Sequence, residues 1–447
     1  MKLILVSPPP LRRPRRAHGL LGLSIVLLAL TAALSQTAGA TGFSAAGRLP
    51  QLGSGRIWQV AAEPSAPNTV LAGTDHGLYL SKDAGATWAQ TSFNATRVWA
   101  VGFDARNPTL SFAGTSGQGV IFSQDGGQTW QDSSAGLLNR VVRSLAFGLD
   151  GIAAGTDAGV FLSPDGHAWH DVGLDGDAIS AVAIAANTPA MTIVAGADAG
   201  QLSGGYLFRS TAGGTWQALL SGLPSQAVVS GLSAGPIDQA VPQRPLVAAT
   251  SKGLVRSGDG GTTWTPSAGL PAAPVTITTA TFSPLDPDLV YAGSDGGGSS
   301  GGGLFRSIDS GVTFTPADAG LPQNTKNAES IAVASTNPPT VVAAIDAPSG
   351  ASVYTEIDTT APAPPQLVAE SPGQPIPAVI STPKPTPRAT PAPVRSAPAA
   401  AGASGLDGFV GTVFHWPIPL IYELIFALLI AYLFVRWRQH YYVEGPP

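Results

Sequence analysis

Ser123-Gln-Asp-Gly-Gly-Gln-Thr-Trp130 is the stretch on which the fold turns. A hydroxyl, a carboxylate two residues on, a glycine two further and a closing Thr–aromatic pair define an eight-residue turn. The carboxylate of such a turn can accept backbone N–H groups of its own loop, and the glycine supplies the positive φ the loop needs. The aromatic ring is large enough to fill a wedge between packed sheets, covering about 150–250 Å². The pattern recurs complete at Ser81 (SKDAGATW), Ser257 (SGDGGTTW) and Ser307 (SIDSGVTF), and shortened at Ser163 (SPDGHAW) and Ser210 (STAGGTW). In the complete copies the structural residues are Asp83, Gly85 and Trp88; Asp125, Gly127 and Trp130; Asp259, Gly261 and Trp264; and Asp309, Gly311 and Phe314. Turns at the two altered copies are expected to be less well held.

The closing aromatics Trp88, Trp130, Trp169, Trp216, Trp264 and Phe314 are 42, 39, 47, 48 and 50 residues apart. That period fits one four-stranded propeller blade. Each unit divides accordingly, as in Val98–Phe103, Leu110–Ala113, Val120–Ser123 and Thr129–Trp130, with turn clusters such as DARNP and TSGQG between. Strands this short cannot bury both faces alone, so blades must stack around an axis. After the closing aromatic most units run into a Gly-Leu-Pro-like turn, at 135, 221, 268 and 319. Phe43-Ser-Ala-Ala-Gly-Arg-Leu-Pro50 repeats that tail without its blade, while the last unit, ending near Ile357, has three strands and no closing aromatic. The expectation is an all-β, seven-bladed β-propeller over 41–358, its last blade completed by the N-terminal strand. Closure of that kind removes the exposed edges of a linear stack.

The octapeptide resembles the Asp-box, or bacterial neuraminidase repeat, of sialidases, some endoglucanases, sortilin-type receptors and photosystem II assembly/stability factors. The resemblance covers residues 43 to 358 and implies a propeller. It does not imply an activity, because the repeat serves enzymes and non-enzymes alike. Its implication for the repeat aspartates is structural rather than catalytic.

The chain has 447 residues, a formal charge of −5 and no cysteine. Disulfides, thiolate metal sites and cysteine nucleophiles are excluded, and the acidic balance argues against nucleic acid as a partner. Residues 1–40 read as a signal peptide: Arg12, Arg13, Arg15 and Arg16, an uncharged stretch, then Ala38-Gly39-Ala40. Residues 359–404 contain 12 prolines and no aromatic residue, the composition of a disordered linker, reaching at most roughly 140 Å as an extended stalk. Residues 405–435 form the anchor region, whose apolar run from about 413 is long enough for a transmembrane helix. Arg436 and Arg438 place the tail 436–447 in the cytoplasm and the propeller outside. Single-pass attachment to the cell membrane is thus the expected localisation. Glu423 reads as an interfacial carboxylate inside the span.

Arg56, Arg97 and Arg140 precede the first strands of blades 1 to 3, and Trp58 and Trp99 follow two residues after the first two arginines. First strands line the central channel, so these side chains are the candidate binding site, an arc of guanidinium groups with aromatic neighbours on one rim. Residues 43–358 carry 13 basic against 24 acidic side chains, so a basic arc there would mark an anion or carboxylate-peptide site. The competing reading is internal: each arginine pairs with an aspartate of a neighbouring blade and each tryptophan packs between blades. Photosystem assembly factors, by resemblance, use an arginine-rich face to hold a protein. A second recurring turn carries Asp75, Asp157, Asp198 and Asp295 and needs no metal to explain it. No catalytic, cofactor or metal site is expected. The propeller has few of the Glu and Tyr residues that sialidase chemistry uses, and nothing local nominates a carboxylate pair for glycoside hydrolysis. The expected role is non-catalytic binding or assembly of a protein or glycan partner at the outer membrane surface. A sialidase-like glycoside hydrolase is the alternative.

Overall fold

The computed structural model describes residues 42–364, apart from 51, 54, 105, 188, 198–205, 212, 220, 226, 238–242, 272–274, 296–301, 323–326 and 347–349. The segment read as a signal peptide, most of the Pro-rich stretch, the apolar run with Glu423 and the basic tail lie outside the described residues, as does Asp198. Among the described residues no helix is long and apolar enough to cross a membrane.

Among the described residues twenty-eight strands, β1 to β28, form seven antiparallel four-stranded sheets. Blade 1 is β2 (Ile57–Ala62), β3 (Val70–Thr74), β4 (Gly77–Ser81) and β5 (Ala89–Gln90). Blade 2 is β6 (Val98–Phe103), β7 (Ser111–Thr115), β8 (Val120–Ser123) and β9 (Gln131–Asp132). Blades 3 to 6 repeat the order, with first strands β10 (Val142–Phe147), β14 (Ile179–Ala186), β18 (Val229–Ala234) and β22 (Thr276–Phe282). Each fourth strand starts just after its closing aromatic rather than on it, because the ring turns inward between blades.

Blade 7 takes β26 (Asn327–Val333), β27 (Thr340–Asp346) and β28 (Ser352–Ile357) from the C-terminal side and β1 (Ser44–Gly47) from the N-terminal side. Ser44 pairs with Thr355 and Gly47 with Val353. Phe43, buried, holds the place of a closing aromatic and donates its N–H to Ala319 O at 2.7 Å. The first strand of blade 1 packs against those of both blade 2 and blade 7, so the ring is closed.

The core is divided among the interfaces. Seven apolar clusters each draw on two adjacent blades: Val70 and Tyr79 with Val342 and Val353, for example, or Val194 and Leu207 with Ala248 and Trp264. Close approach is needed there. A Cβ on Gly114 would sit 2.7 Å from Val142 Cγ1 of the next blade, and five second strands carry glycine at this register, with Ala249 and Ala344 in its place in blades 5 and 7. Burial of one wedge aromatic contributes about 3 kcal/mol, so interblade packing dominates the stability of the ring.

The octapeptide turns behave as chemistry requires. Asp125 accepts from Thr129 N at 2.9 Å and Thr129 Oγ1 at 2.6 Å, and Ser123 Oγ reaches it at 2.7 Å. The same bonds recur at Asp83, Asp259 and Asp309. Gly85, Gly127, Gly261 and Gly311 have φ of 93°, 89°, 84° and 82°. Partial burial works against the Asp125 carboxylate, but the donors of Thr129 and Ser123 outweigh it and bring its pKa down to about 2. In the shortened copy Asp165 accepts from His167 N at 2.9 Å and from Ser163 Oγ at 3.2 Å, with no threonine hydroxyl to match Thr129. Blade 7 holds a seventh, degenerate copy. Glu356-Ile-Asp-Thr-Thr360 continues β28 as Ser307-Ile-Asp continues β24 (Gly303–Ser307), and Asp358 accepts from Thr360.

Basic side chains lock successive blades at this rim. Arg209 and Arg256 each donate, at 3.1 Å, to a carbonyl in the octapeptide turn of the next blade, and Arg306 binds Asp358 at 2.7 Å.

Candidate functional site

Seven bulges build the site. In every blade the first strand follows its partner until one residue is looped out. The register skips between Ile57 and Gln59, Val98 and Ala100, Val142 and Ser144, Ile179 and Ala181, Val229 and Gly231, Ile277 and Thr279, and Ala328 and Ser330. A bulge re-aims the extra side chain. The seven extra residues are Trp58, Trp99, Arg143, Ser180, Ser230, Thr278 and Glu329, and all of them line one axial channel of about 220 Å³. They ring its mouth on the rim opposite the octapeptide turns, since each first strand runs from the mouth toward those turns.

In blades 1 to 3 the large members stack into a ladder of alternating guanidinium and indole. Arg56 lies 4.7 Å from the Trp58 ring, Arg97 5.2 Å from Trp58 and 4.8 Å from Trp99, and Arg143 5.8 Å from Trp99. The two indoles are 4.4 Å apart, tilted by 59°. Cation–π contacts of this kind are worth about 0.5–2 kcal/mol each.

Carboxylates hold the ladder from behind. Arg56 pairs with Glu329 and lies 3.6 Å from Asp346, both in blade 7. Arg97 binds Asp75 of blade 1 at 2.6 Å, and Arg143 pairs with Asp157. Asp75 also accepts Trp58 Nε1 and the Arg56 backbone N–H, each at 2.9 Å. Burial opposes ionisation of Asp75, yet these three donors together hold its carboxyl below the usual range. Glu329 goes the other way: burial outweighs Arg56 and pushes its carboxyl up.

The remaining half of the ring is closed on itself. Ser180 Oγ donates to Val229 O at 2.7 Å, Ser230 Oγ to Ile277 O at 2.6 Å, and Thr278 Oγ1 to Ala328 O. Each hydroxyl thus stitches its blade to the next.

Four of the five side chains expected at the site meet there: Arg56, Trp58, Arg97 and Trp99. Arg140 does not. Val142 pairs with Thr156 as Val98 pairs with Thr115, so Val141 stands where Arg56 and Arg97 stand. Arg140 falls one residue too early, half exposed, 3.5 Å from Asp132. The third rung is Arg143, at the position of the two tryptophans. The arc is also not an uncompensated cationic surface, because each of its arginines holds a carboxylate: Arg56 and Arg97 reach a neighbouring blade, as the internal reading expected, whereas Arg143 pairs within blade 3. Sequence reasoning passed over Glu329, Asp346 and Arg143. Asp75, Asp157, Asp295 and Asp346 each follow the last or near-last residue paired in the second strand, and this shared register was the available signal. Trp99 Nε1 is buried and has no acceptor. Among the described residues no group of three or more His, Asp or Glu side chains converges to hold a metal ion.

No family model and no curated protein matches the sequence. Solved structures do match in fold. YCF48 from Cyanidioschyzon merolae aligns with a TM-score of 0.51 at 14% identity, over 71% of this chain and 98% of that one. YCF48 bound to D1 peptide gives 0.50 and 16%, over 71% and 97%. A GH74 xyloglucanase from Xanthomonas campestris gives 0.54 and 17%, over 71% of this chain and 54% of that one. Identities this low establish a shared seven-bladed β-propeller and nothing finer. Binding proteins and hydrolases stand side by side among these neighbours.

Proposed function

We propose that this chain is a non-catalytic recognition module of the Asp-box class, held outside the cell membrane by its C-terminal apolar segment, and that the channel mouth of blades 1 to 3 grips a protein segment. The observation that carries this reading is the Arg–Trp ladder. Its guanidinium groups are pinned by carboxylates on one side and remain about two-fifths exposed at Arg56 and Arg97. Fixed, half-exposed guanidinium edges suit carboxylates and backbone carbonyls of a peptide. A glycan fits less well, because guanidinium groups already lie over the indole faces on which a sugar ring would stack. YCF48 has been solved with a D1 peptide, which agrees with peptide recognition as a capacity of this fold.

The test is crosslinking of the full-length chain in its native membrane, with mass-spectrometric identification of what it holds. The Arg97→Gln, Arg143→Gln double variant should lose roughly tenfold or more in capture and about 2–3 kcal/mol in stability, from two part-exposed ion pairs and three cation–π contacts, without unfolding. Equal capture by the variant would sink the reading. A second reading, glycoside hydrolysis, draws on Glu329, whose raised pKa would suit a general acid. A fluorogenic glycoside panel with Glu329→Gln as control separates the two.

A further inference from the structure

The seam at which the chain closes its ring differs from the interfaces before it. Elsewhere the run after a closing aromatic is tied to the octapeptide turn of the next blade. Ser133 Oγ donates to Gly166 O at 2.7 Å, and Trp169 N to Ala135 O at 2.8 Å. Ser267 Oγ donates to Gly311 O at 2.6 Å, while Ala268 accepts from Phe314 N and donates to Val312 O, both at 2.9 Å. Between blades 7 and 1 these ties are missing. Ala46 takes the place of Ser133 and Ser267, and among the described residues β1 makes no hydrogen bond to the Ser81–Trp88 turn. Trp130, Trp169, Trp216 and Trp264 each donate Nε1 to a carbonyl, whereas Trp88 Nε1 is buried and has no acceptor.

One substitution in the repeat leaves room there. The residue before the leading serine of each octapeptide is Leu80, Phe122, Leu162, Arg209, Arg256 or Arg306, and the last three bind the following blade. By register the equivalent in blade 7 is Thr355, which is too short to reach across. A cleft of about 720 Å³ results. Ser44 and Ala45 of β1 line one side, Asp83 and Ala86 of the blade 1 turn line the other, and Thr355 and Glu356 of β28 complete it.

β1 is the outermost strand of its sheet, and Ser44 and Ala45 are exposed. Half of its main-chain N–H and C=O groups therefore have no strand to pair with. A free strand edge beside a walled cleft is the geometry by which sheets accept an extended peptide. The charge around the cleft is acidic. The hydroxyl and N–H of Thr87 hold the Asp83 carboxyl below the usual range. Burial and then Asp358 push the Glu356 carboxyl up, a cost that an incoming cation would relieve. Arg306 is engaged by Asp358, Lys82 reaches toward Thr69 and Gly126, and no lysine or arginine lines the cleft.

We propose that the seam cleft binds an extended peptide bearing lysine or arginine, which adds to β1 as a fifth strand of blade 7 and directs a cationic side chain to Asp83 and Glu356. The cleft is on the octapeptide rim, opposite the channel mouth, and the proposal does not rest on the reading of the ladder.

Fluorescence anisotropy of a labelled Lys-Val-Lys-Val-Lys-Val probe with the full-length chain tests it. Saturable one-site binding is expected, roughly tenfold or more tighter than for the Glu-Val-Glu-Val-Glu-Val peptide. N-methylation of alternate probe residues removes the donors a strand needs and should weaken binding roughly tenfold or more. Glu356→Gln should weaken it about fivefold, as for one part-exposed ion pair. Ala45→Trp, at an exposed position on the cleft wall, should abolish it, and Arg97→Gln at the mouth should leave it unchanged. Should Ala45→Trp fail to fold, the N-methylated probe decides, since it leaves the protein untouched. Absence of saturable binding overturns the proposal. Binding that survives N-methylation also overturns it and assigns the contact to surface charge alone. The chain contains no cysteine, so a photo-crosslinker on Ala45→Cys reports any other occupant. Crosslinks to the chain's own residues or to a second copy that the probe does not displace overturn the proposal as well.

Discussion

The two halves of the channel mouth share one backbone and use it differently. All seven first strands bulge at the same register position. In blades 4 to 6 the looped-out residue is Ser180, Ser230 or Thr278, whose hydroxyl is consumed by a carbonyl of the next blade. In blades 7, 1, 2 and 3 it is Glu329, Trp58, Trp99 or Arg143, too large to be consumed in that way. The two indoles and Arg143 stack with Arg56 and Arg97 instead, and Glu329 pairs with Arg56, the looped-out residues all lining the channel. A ring position that is structural in one half is available for recognition in the other. Repeat folds allow this because the bulge needs only an extra residue, whatever its side chain.

Cutting the ladder at its end should cost most. Arg56→Ala leaves Glu329 with 12% of its side chain exposed and no cation. Breaking such a pair costs about 3 kcal/mol in a dry setting, and less here because Arg56 is partly solvated. The loss should depend on pH in a defined sense. Burial raises the Glu329 carboxyl even with Arg56 present, so removing the cation raises it further. A raised folded-state pKa means that the folded protein binds the proton over a window where the unfolded chain has lost it. The variant's stability should therefore fall as pH rises from the ordinary glutamate value through the raised one. Denaturant melts between about pH 4 and 8 check this; a variant whose deficit grows on acidification instead would contradict the burial of Glu329.

Converting one half into the other comes next. Trp99→Ser places in blade 2 the residue that blades 4 and 5 carry. It removes two cation–π contacts and half-buried ring area, so a loss of about 2 kcal/mol is expected. The ring should still close, since Ser180 and Ser230 support closure at the same position. Partner capture should fall with Trp99→Ser and be unchanged by Ser230→Ala. That second variant forfeits one hydroxyl–carbonyl bond and should lose about 1 kcal/mol. If the two variants affect capture equally, the halves do not divide the labour.

The fold was legible because its determinants are local and repeated. The octapeptide carries its own hydrogen bonds, so its period could be read without knowing a single contact. The closing strand was legible because Phe43 to Pro50 copies a tail whose blade is missing. The seventh turn was not, since Glu356 replaces the leading serine and the Thr–aromatic pair has gone; only the pairing of Val341 with Glu356 reveals it. The site was legible in part. Arg56, Trp58, Arg97 and Trp99 show as a repeated Arg-x-Trp. Glu329, 273 residues from Arg56, joins the site only because the ring closes, and no local pattern encodes that.

Arg140 supplies the smallest effect and a sharp test of the register. The string Arg140-Val-Val invites alignment with Arg97-Val-Trp, but Val142 opposite Thr156 fixes a frame in which Arg143, at the position of Trp99, supplies the third guanidinium of the ladder. One residue of slip moves a side chain to the other face of a strand, which here separates a ladder rung from a surface arginine. Arg140 is 52% exposed and its contact with Asp132, itself 61% exposed, is 3.5 Å. An ion pair of that kind contributes at most a few tenths of a kcal/mol. Arg140→Ala should therefore leave both the denaturation midpoint and partner capture within error of the parent, while Arg143→Ala lowers capture. The comparison depends on a single bulge: if Arg140→Ala proved the more damaging of the two, blade 3 would have to be re-registered, and Arg143 would lose its place in the ladder.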